Sequence, residues 1–333
     1  MQSFRLHIFF NPNMKKVLLI ISLIPMISYS QKKDVLKYFI SKDSLVGVKN
    51  QKGEIIVPAQ FRVFSNIENG ELVEGETIHF DGSKKGEERE KNAWGYIYDR
   101  KGNFLYQPFL YDNGADYFQE GVRRLVKNGK MGFADRNGTT VIEATHDFVF
   151  PFNYGYAAFC DGCDWEKTDD EHKAVVGGTW GIMNDKGETV QPSSKQSEND
   201  LEVGGERYPY PFRYNEKEKG ILQFFEKQNQ QLSDIYYVNH YNKLSENDKK
   251  LFFEIVERPK ENFPYFNINT YDNGKMNSGL SRFNFIVSED GKNFYASDYD
   301  VEKITFEKWL KKEMKEVEEF QKEHPDNPNK LSK

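Results

Sequence analysis

The feature that most constrains this chain is a motif it writes more than once. NAWGYIYDRKG at Asn92–Gly102 returns as GTWGIMNDKGETVQP at Gly178–Pro192. Both read as a small residue, Trp-Gly, strand formers, an Asx residue and another Gly. A rare aromatic, two glycines and a turn residue in matched order indicate a repeated structural unit.

Four anchors carry the register: Val46-Gly47, Trp94-Gly95, Met131-Gly132 and Trp180-Gly181. The turn glycine follows six residues after the anchor glycine at Gly53, Gly138 and Gly187, and seven after it at Gly102, where Tyr98 reads as the extra residue. A short run of β-formers then closes on Pro58, Pro108 and Pro192, with Glu143 in that place in the third copy. An aromatic or His beside a polar residue comes next (Phe61-Arg62, Tyr111-Asp112, His146-Asp147), then an aromatic near a glycine (Phe118 and Gly121, Phe152 and Gly155) and a return strand, VRRLVKNGK or YAAF. Each copy predicts an antiparallel meander. Glycine supplies the positive φ of the hairpin turn, and proline, with no N–H for the ladder, marks a strand end. Gly47, Gly95, Gly132 and Gly181 are expected to admit a close neighbour, and Trp94 and Trp180 to be core residues.

This order of tryptophan-glycine, Asp-x-x-Gly turn, apolar strand, proline and Tyr-Asp-like pair resembles the bacterial WG-repeat family. The resemblance runs from Val46 to Pro192 and is most specific at Trp94-Gly95 and Trp180-Gly181. It implies β-rich modules in a tandem array. It implies no catalytic residue, because the family as a class has none established.

Two charged segments, Glu76–Asn92 and Cys160–Gly178, occupy the same place in the repeat, between return strand and next anchor. Insertions at one repeat position project from one face, often a binding face; as charged stretches they are expected as solvated hairpin extensions. The second contains the chain's two cysteines, Cys160 and Cys163. A pair this close can form a disulfide, exchange thiols or supply half a metal site. A disulfide, or two free thiols closing a surface insertion, is the ordinary reading, since Asp161, Asp164 and Glu166 would raise a thiol pKa and His172 alone does not complete a zinc site. Neither a cofactor nor a metal is expected.

MKKVLLIISLIPMISYSQ places Lys15 and Lys16 before an apolar stretch from Val17 to Ile27 and small residues at Ser28 and Ser30. That is a signal peptide and too short for a spanning helix. Residues 1–30 are thus expected to be upstream sequence and leader, with the true start at Met14 and export to the periplasm or beyond. Losing Arg5, Lys15 and Lys16 moves the net charge from −6 to −9, which argues against nucleic acid as partner. No membrane association is expected after cleavage.

The expected organisation is a mainly β repeat domain over residues 31–195, a connection over 196–215, an α+β domain over 216–325 and a disordered tail over 326–333. In the α+β part, EKGILQFFEKQNQQL and ITFEKWLKKEMKEVEEFQKEH read as helices. SENDKKLFFEIVERP also reads as a helix, capped by Ser245 with Asp248 and stopped by Pro259. YFNINTY and RFNFIVSEDGKNFYASDY read as strands with a turn at Asp290-Gly291. Ser281 lacks the second glycine of a nucleophile elbow, since Phe283 stands there, and His240 has no evident triad partners. The chain therefore reads as a non-enzymatic binding or scaffolding module for a protein or glycan partner. Loop aromatics Tyr117, Phe118 and Trp165 are the candidate contacts, and the alternative is a hydrolase or other enzyme with its site in the C-terminal domain.

Overall fold

The computed structural model describes residues 34–168, 173–260, 262–272, 283–297 and 303–331. The expected leader, His172 and Ser281 lie outside the described residues. In chain order the repeat array runs β1 (Leu36–Ile40), β2 (Val46–Asn50), β3 (Ile55–Val63), β4 (Thr77–Phe80), β5 (Gly82–Lys84), β6 (Tyr96–Asp99) and β7 (Phe104–Pro108). It continues through β8 (Leu110–Tyr111), β9 (Gly114–Ala115), β10 (Val122–Lys127), β11 (Lys130–Asp135), β12 (Thr140–His146), β13 (Phe148–Val149), β14 (Tyr156–Lys167), β15 (Lys173–Asn184) and β16 (Thr189–Val190).

The four copies fold alike because one turn is written four times. Asn50, Asp99, Asp135 and Asn184 each accept, at side-chain Oδ1, the N–H groups two and four residues on, at 2.8 to 3.0 Å. Each also donates its own N–H to the carbonyl four residues on, while the turn glycine three residues on donates back to it. A short carboxylate or amide here replaces backbone partners the tight turn cannot supply. Gly53, Gly102, Gly138 and Gly187 complete the turns at φ between 76° and 87°.

Each turn joins the second and third strands of a meander whose first strand precedes it: β1-β2-β3, β4-β6-β7, β10-β11-β12 and β14-β15-β16, all antiparallel. Register repeats as well. Val48 faces Val57, Ile97 faces Tyr106 and Phe133 faces Ile142; one step on, Lys49 faces Ile55, Tyr98 faces Phe104 and Ala134 faces Thr140, so the third strand bulges by a residue in these three copies. A second slip beside Met131 brings β12 onto Gly132, where a Cβ would lie 2.3 Å from the Ile142 carbonyl oxygen. Counted from the turn, the second copy holds Tyr96 where the others hold Gly47, Gly132 and Gly181. Its extra residue therefore precedes the strand instead of lying at Tyr98. Gly95 does different work, at φ 70° against the Phe80 carbonyl.

Units two and three share one six-stranded sheet, β12-β11-β10-β7-β6-β4, through pairing of β10 with β7. Unit one forms β1-β2-β3-β5 and unit four β13-β14-β15-β16. The segment Glu76–Asn92 is thus not a projecting extension: it supplies β4 and β5, and Ile78 and Phe80 are core residues beside Phe61 and Tyr96. The segment Cys160–Gly178 does extend β14 and β15 as a two-stranded ribbon, paired from Asp161–Thr179 to Lys167–Lys173. Beneath the sheets, Arg124 is buried and makes a two-pronged ion pair to buried Asp116 at 2.9 and 2.8 Å, with its guanidinium 4.4 Å from the Phe109 ring centre.

The C-terminal part adds β17 (Leu201–Val203) and β18 (Glu206–Tyr208), α1 (Glu216–Lys227), α2 (Asn229–Tyr237), β19 (Leu251–Glu257), β20 (Tyr265–Asp272), β21 (Asn284–Ser288), β22 (Phe294–Ala296), β23 (Ile304–Thr305) and α3 (Phe306–Glu323). β19 to β23 form one antiparallel sheet in sequence order. Ile221 and Phe225 of α1, Leu232 and Ile235 of α2, and Phe306, Trp309 and Val317 of α3 share a core with Leu251, Phe253, Ile255, Ile268 and Phe285 of the sheet. Asn215 caps α1 in a reciprocal capping box with Glu218.

The helix expected from Ser245 to Pro259 is corrected. Ser245 and Asp248 do exchange capping hydrogen bonds, and Lys249 N–H closes one turn on the Ser245 carbonyl, but Leu251 onward is strand β19. Both faces of β19 are covered: Leu251, Phe253 and Ile255 meet the helices, while Phe252 and Val256 pack with Tyr154, Leu201, Tyr208 and Tyr271. A strand apolar on both faces loses its alternation and shares i,i+4 pairs with a helix. The connection expected over 196–215 is likewise structured, with Leu201, Val203 and Tyr208 of the β17-β18 hairpin buried in that same cluster. From Leu36 onward the chain forms one compact unit. Within the expected tail segment, buried Asn329 donates to the His240 and Asn242 carbonyls and accepts the Leu244 N–H.

Candidate functional site

Two places concentrate side chains whose chemistry the fold alone does not require. The first is at the anchors. In three copies the residue before the turn-register glycine is Val46, Met131 or Trp180. Val46 and Met131 are buried, whereas Trp180 is 43% exposed. Its indole lies 5.9 Å from the ring of Phe150, itself 47% exposed, and donates through Nε1 to the Gly177 carbonyl at 3.1 Å. Trp94 repeats the arrangement: Phe64, 66% exposed, stacks on it at 5.2 Å and 30°, and the Arg89 guanidinium lies 4.8 Å from its ring centre. Counted from anchor to anchor along the sequence, each phenylalanine belongs to one copy and each tryptophan opens the next, although Phe150, just past β13, and Trp180, in β15, share the sheet of unit four. The expectation that the anchor tryptophans are core residues is thereby corrected for Trp180, and Trp94 is only partly buried.

Tyr117, Phe118 and Trp165 are not gathered into one site. Tyr117 packs edge-on against Tyr111 at 5.2 Å. Phe118 lies between the guanidiniums of Arg123 and Arg136, each 4.7 Å from its centre. Trp165 packs on Phe109 and Phe148. Cys160 and Cys163 are disulfide-bonded, with Cys160 fully buried in the array core. Phe64 and Phe150 escaped sequence reasoning because an aromatic following a strand carries no mark of which way it faces; their signal was position, Phe64 directly after β3 and Phe150 directly after β13.

The second place is the seam between the array and the C-terminal sheet. Glu254 is the buried carboxylate of β19 on the face shared with Phe252 and Val256, and the hydroxyls of Tyr210 and Tyr214 both donate to it. Glu120, from the turn before β10, is only partly buried as a residue, but its carboxylate points inward, accepting the Gly155 N–H at 2.8 Å and the Tyr271 hydroxyl. Burial pushes Glu120 up to about 7, against the hydrogen bonds from Tyr271 and Gly155. Burial first, then the Glu120 charge, pushes Glu254 up to about 8. Nearby cations serve other acids: Lys260 bridges Asp135 and Glu257 at 3.1 and 2.8 Å, and Arg258 binds Glu218 at 2.7 Å. Tyrosine rings fill this seam. A separate groove of about 330 Å³ on the C-terminal part is lined by Phe224, Phe306, Leu310 and Met314 with Glu307 and Lys311. Among the described residues, no group of three or more His, Cys, Asp or Glu side chains converges as a metal site requires.

The family model described as WG containing repeat matches residues 131–162. The chain therefore carries a WG repeat there, and the match covers the third copy, from Met131 through its turn to the return strand. No curated protein and no solved structure matches the chain.

Proposed function

We propose that this WG-repeat chain is an exported, non-enzymatic binding or scaffolding module that engages a protein or glycan ligand at the bacterial envelope through the Phe-Trp pairs at its repeat junctions. One observation carries the reading. At the same anchor position Val46 and Met131 satisfy the fold as buried aliphatic side chains, while Trp180 leaves its ring open to solvent beside an equally open Phe150. Core packing does not call for an indole there. Exposed aromatic faces grouped in pairs are what sugar rings and apolar side chains bind against. The leader supports export, and the acidic balance is compatible with an envelope partner other than nucleic acid.

The test is a glycan array and an envelope-extract pull-down using the mature full chain, with Trp180→Ala, Phe150→Ala and Trp94→Ala as variants. Retention of a partner by wild type, with a loss of about tenfold or more in affinity for folded variants, supports the reading. A partner held equally by all three variants sinks it. Mass spectrometry of the exported product checks the leader, with Gln31 as the expected first residue.

A further inference from the structure

The seam joins two halves through two acids, Glu120 and Glu254, with which no cation pairs among the described residues. Glu120 belongs to the array and receives its hydroxyl donor, Tyr271, from β20 of the C-terminal sheet. Glu254 belongs to the sheet and receives Tyr210 and Tyr214 from the connecting segment. Tyr214 is held in turn by the Ile255 N–H at 3.1 Å, and Tyr154 stacks on Tyr271 at 3.8 Å. The charged neighbours among the described residues lie on several elements. On β19 lies Glu257, which engages Lys260 and Arg136; on β20, Asp272; on α1, Glu218 with Arg258; in the array turns, Asp135 with Lys260, and Asp185. The surplus around Glu120 and Glu254 is acidic. Ionising either one places an unpaired negative charge in an enclosed, tyrosine-lined site already facing other carboxylates.

We propose that Glu120 and Glu254 form a proton-operated latch: the C-terminal sheet docks tightly on the repeat array while both carboxyls hold protons, and the seam loosens as they ionise. When the seam opens, the acids regain ordinary carboxyl behaviour and shed their protons at lower pH. The docked state therefore binds more protons than the open one between the ordinary Glu range and neutral-to-mildly-alkaline pH. By linkage, docking strength is complete below that window and is lost as pH rises through it. This latch is independent of any ligand at the Phe-Trp pairs.

The experiment is hydrogen exchange on the full mature chain from pH 5.5 to 8.5, corrected for intrinsic exchange, with Glu120→Gln/Glu254→Gln as the variant that cannot titrate. In wild type, protection of β17, β18 and β19 falls by about tenfold or more relative to β10 and β11 across this range; in the variant the ratio stays flat. A flat wild-type ratio, or the same slope in the variant, overturns the latch. Should the double variant not fold, the infrared carboxyl band of wild type decides. A protonated carboxyl persisting at pH 6.5 supports the latch, and complete ionisation by pH 5.5 overturns it.

Discussion

The ring of Tyr154 lies on the ring of Tyr271 with centroids 3.8 Å apart and planes inclined by 30°, joining the β13–β14 connection of the array to the C-terminal sheet. The two hydroxyls differ in consequence. That of Tyr271 donates to Glu120, while that of Tyr154 is buried without a hydrogen-bond partner among the described residues. Removing an unsatisfied buried group relieves a desolvation cost, whereas removing a donor strands its acceptor. Tyr154→Phe is expected to leave stability unchanged or raise it by up to about 1 kcal/mol, and Tyr271→Phe to lower it by about 1–3 kcal/mol. Urea unfolding of both variants at pH 6 measures the contrast, and equal losses would refute it.

The four turns make a graded series. Asn50→Ala and Asn184→Ala each remove a side-chain oxygen that accepts two N–H groups. A cost of about 1–2 kcal/mol each is expected. Asp135→Ala should cost more, because Asp135 also binds Lys260 at 3.1 Å and so ties the third turn to the C-terminal part. Asp135→Asn keeps the turn bonds and loses only the ion pair, so it should fall between wild type and Asp135→Ala in denaturation midpoint.

Arg124 and Asp116 are both buried and paired through two bonds. Replacing either one alone leaves a buried charge, at a cost of about 3–5 kcal/mol. Arg124→Met together with Asp116→Leu should recover much of that loss. A double-mutant cycle by chemical denaturation gives the answer, and strictly additive losses would count against the pairing.

The disulfide closes only the short stretch from Cys160 to Cys163. On the chain-entropy account a loop this small contributes about 2 kcal/mol. Reduction is therefore expected to lower the midpoint by a few degrees, roughly 4–8 °C at most, without abolishing folding. Thermal scans with and without a phosphine reductant test this, and collapse of the array on reduction would contradict it.

How much of this could be read beforehand follows from how local each signal is. The Asx-x-x-Gly turns are closed by bonds within five residues, so Asp135 and Gly138 announced themselves, as did the strands on either side. The helices α1 and α3 were legible from apolar spacing at Ile221 and Phe225 and at Phe306, Trp309 and Val317. β19 was not, because Phe252 and Val256 need the array and Leu251 and Phe253 need the helices, and neither cover is visible locally. Nor was the seam. Glu120 and Glu254 are far apart in the chain, and an isolated Glu looks the same whether it faces water or a tyrosine. The orientation of Trp180 was hidden for a related reason, since Met131 occupies the same position with its side chain inside.

Because each Phe-Trp pair borrows one ring from either side of a junction, it is a property of adjacency and no single copy owns one. Gene segments that duplicate a tryptophan-opening copy behind any copy ending in an exposed phenylalanine would add one whole pair. Losing one copy would erase a pair or splice two half-pairs into a new one. The array can thus change the number of its aromatic contacts by recombination alone, with no point substitution in any unit.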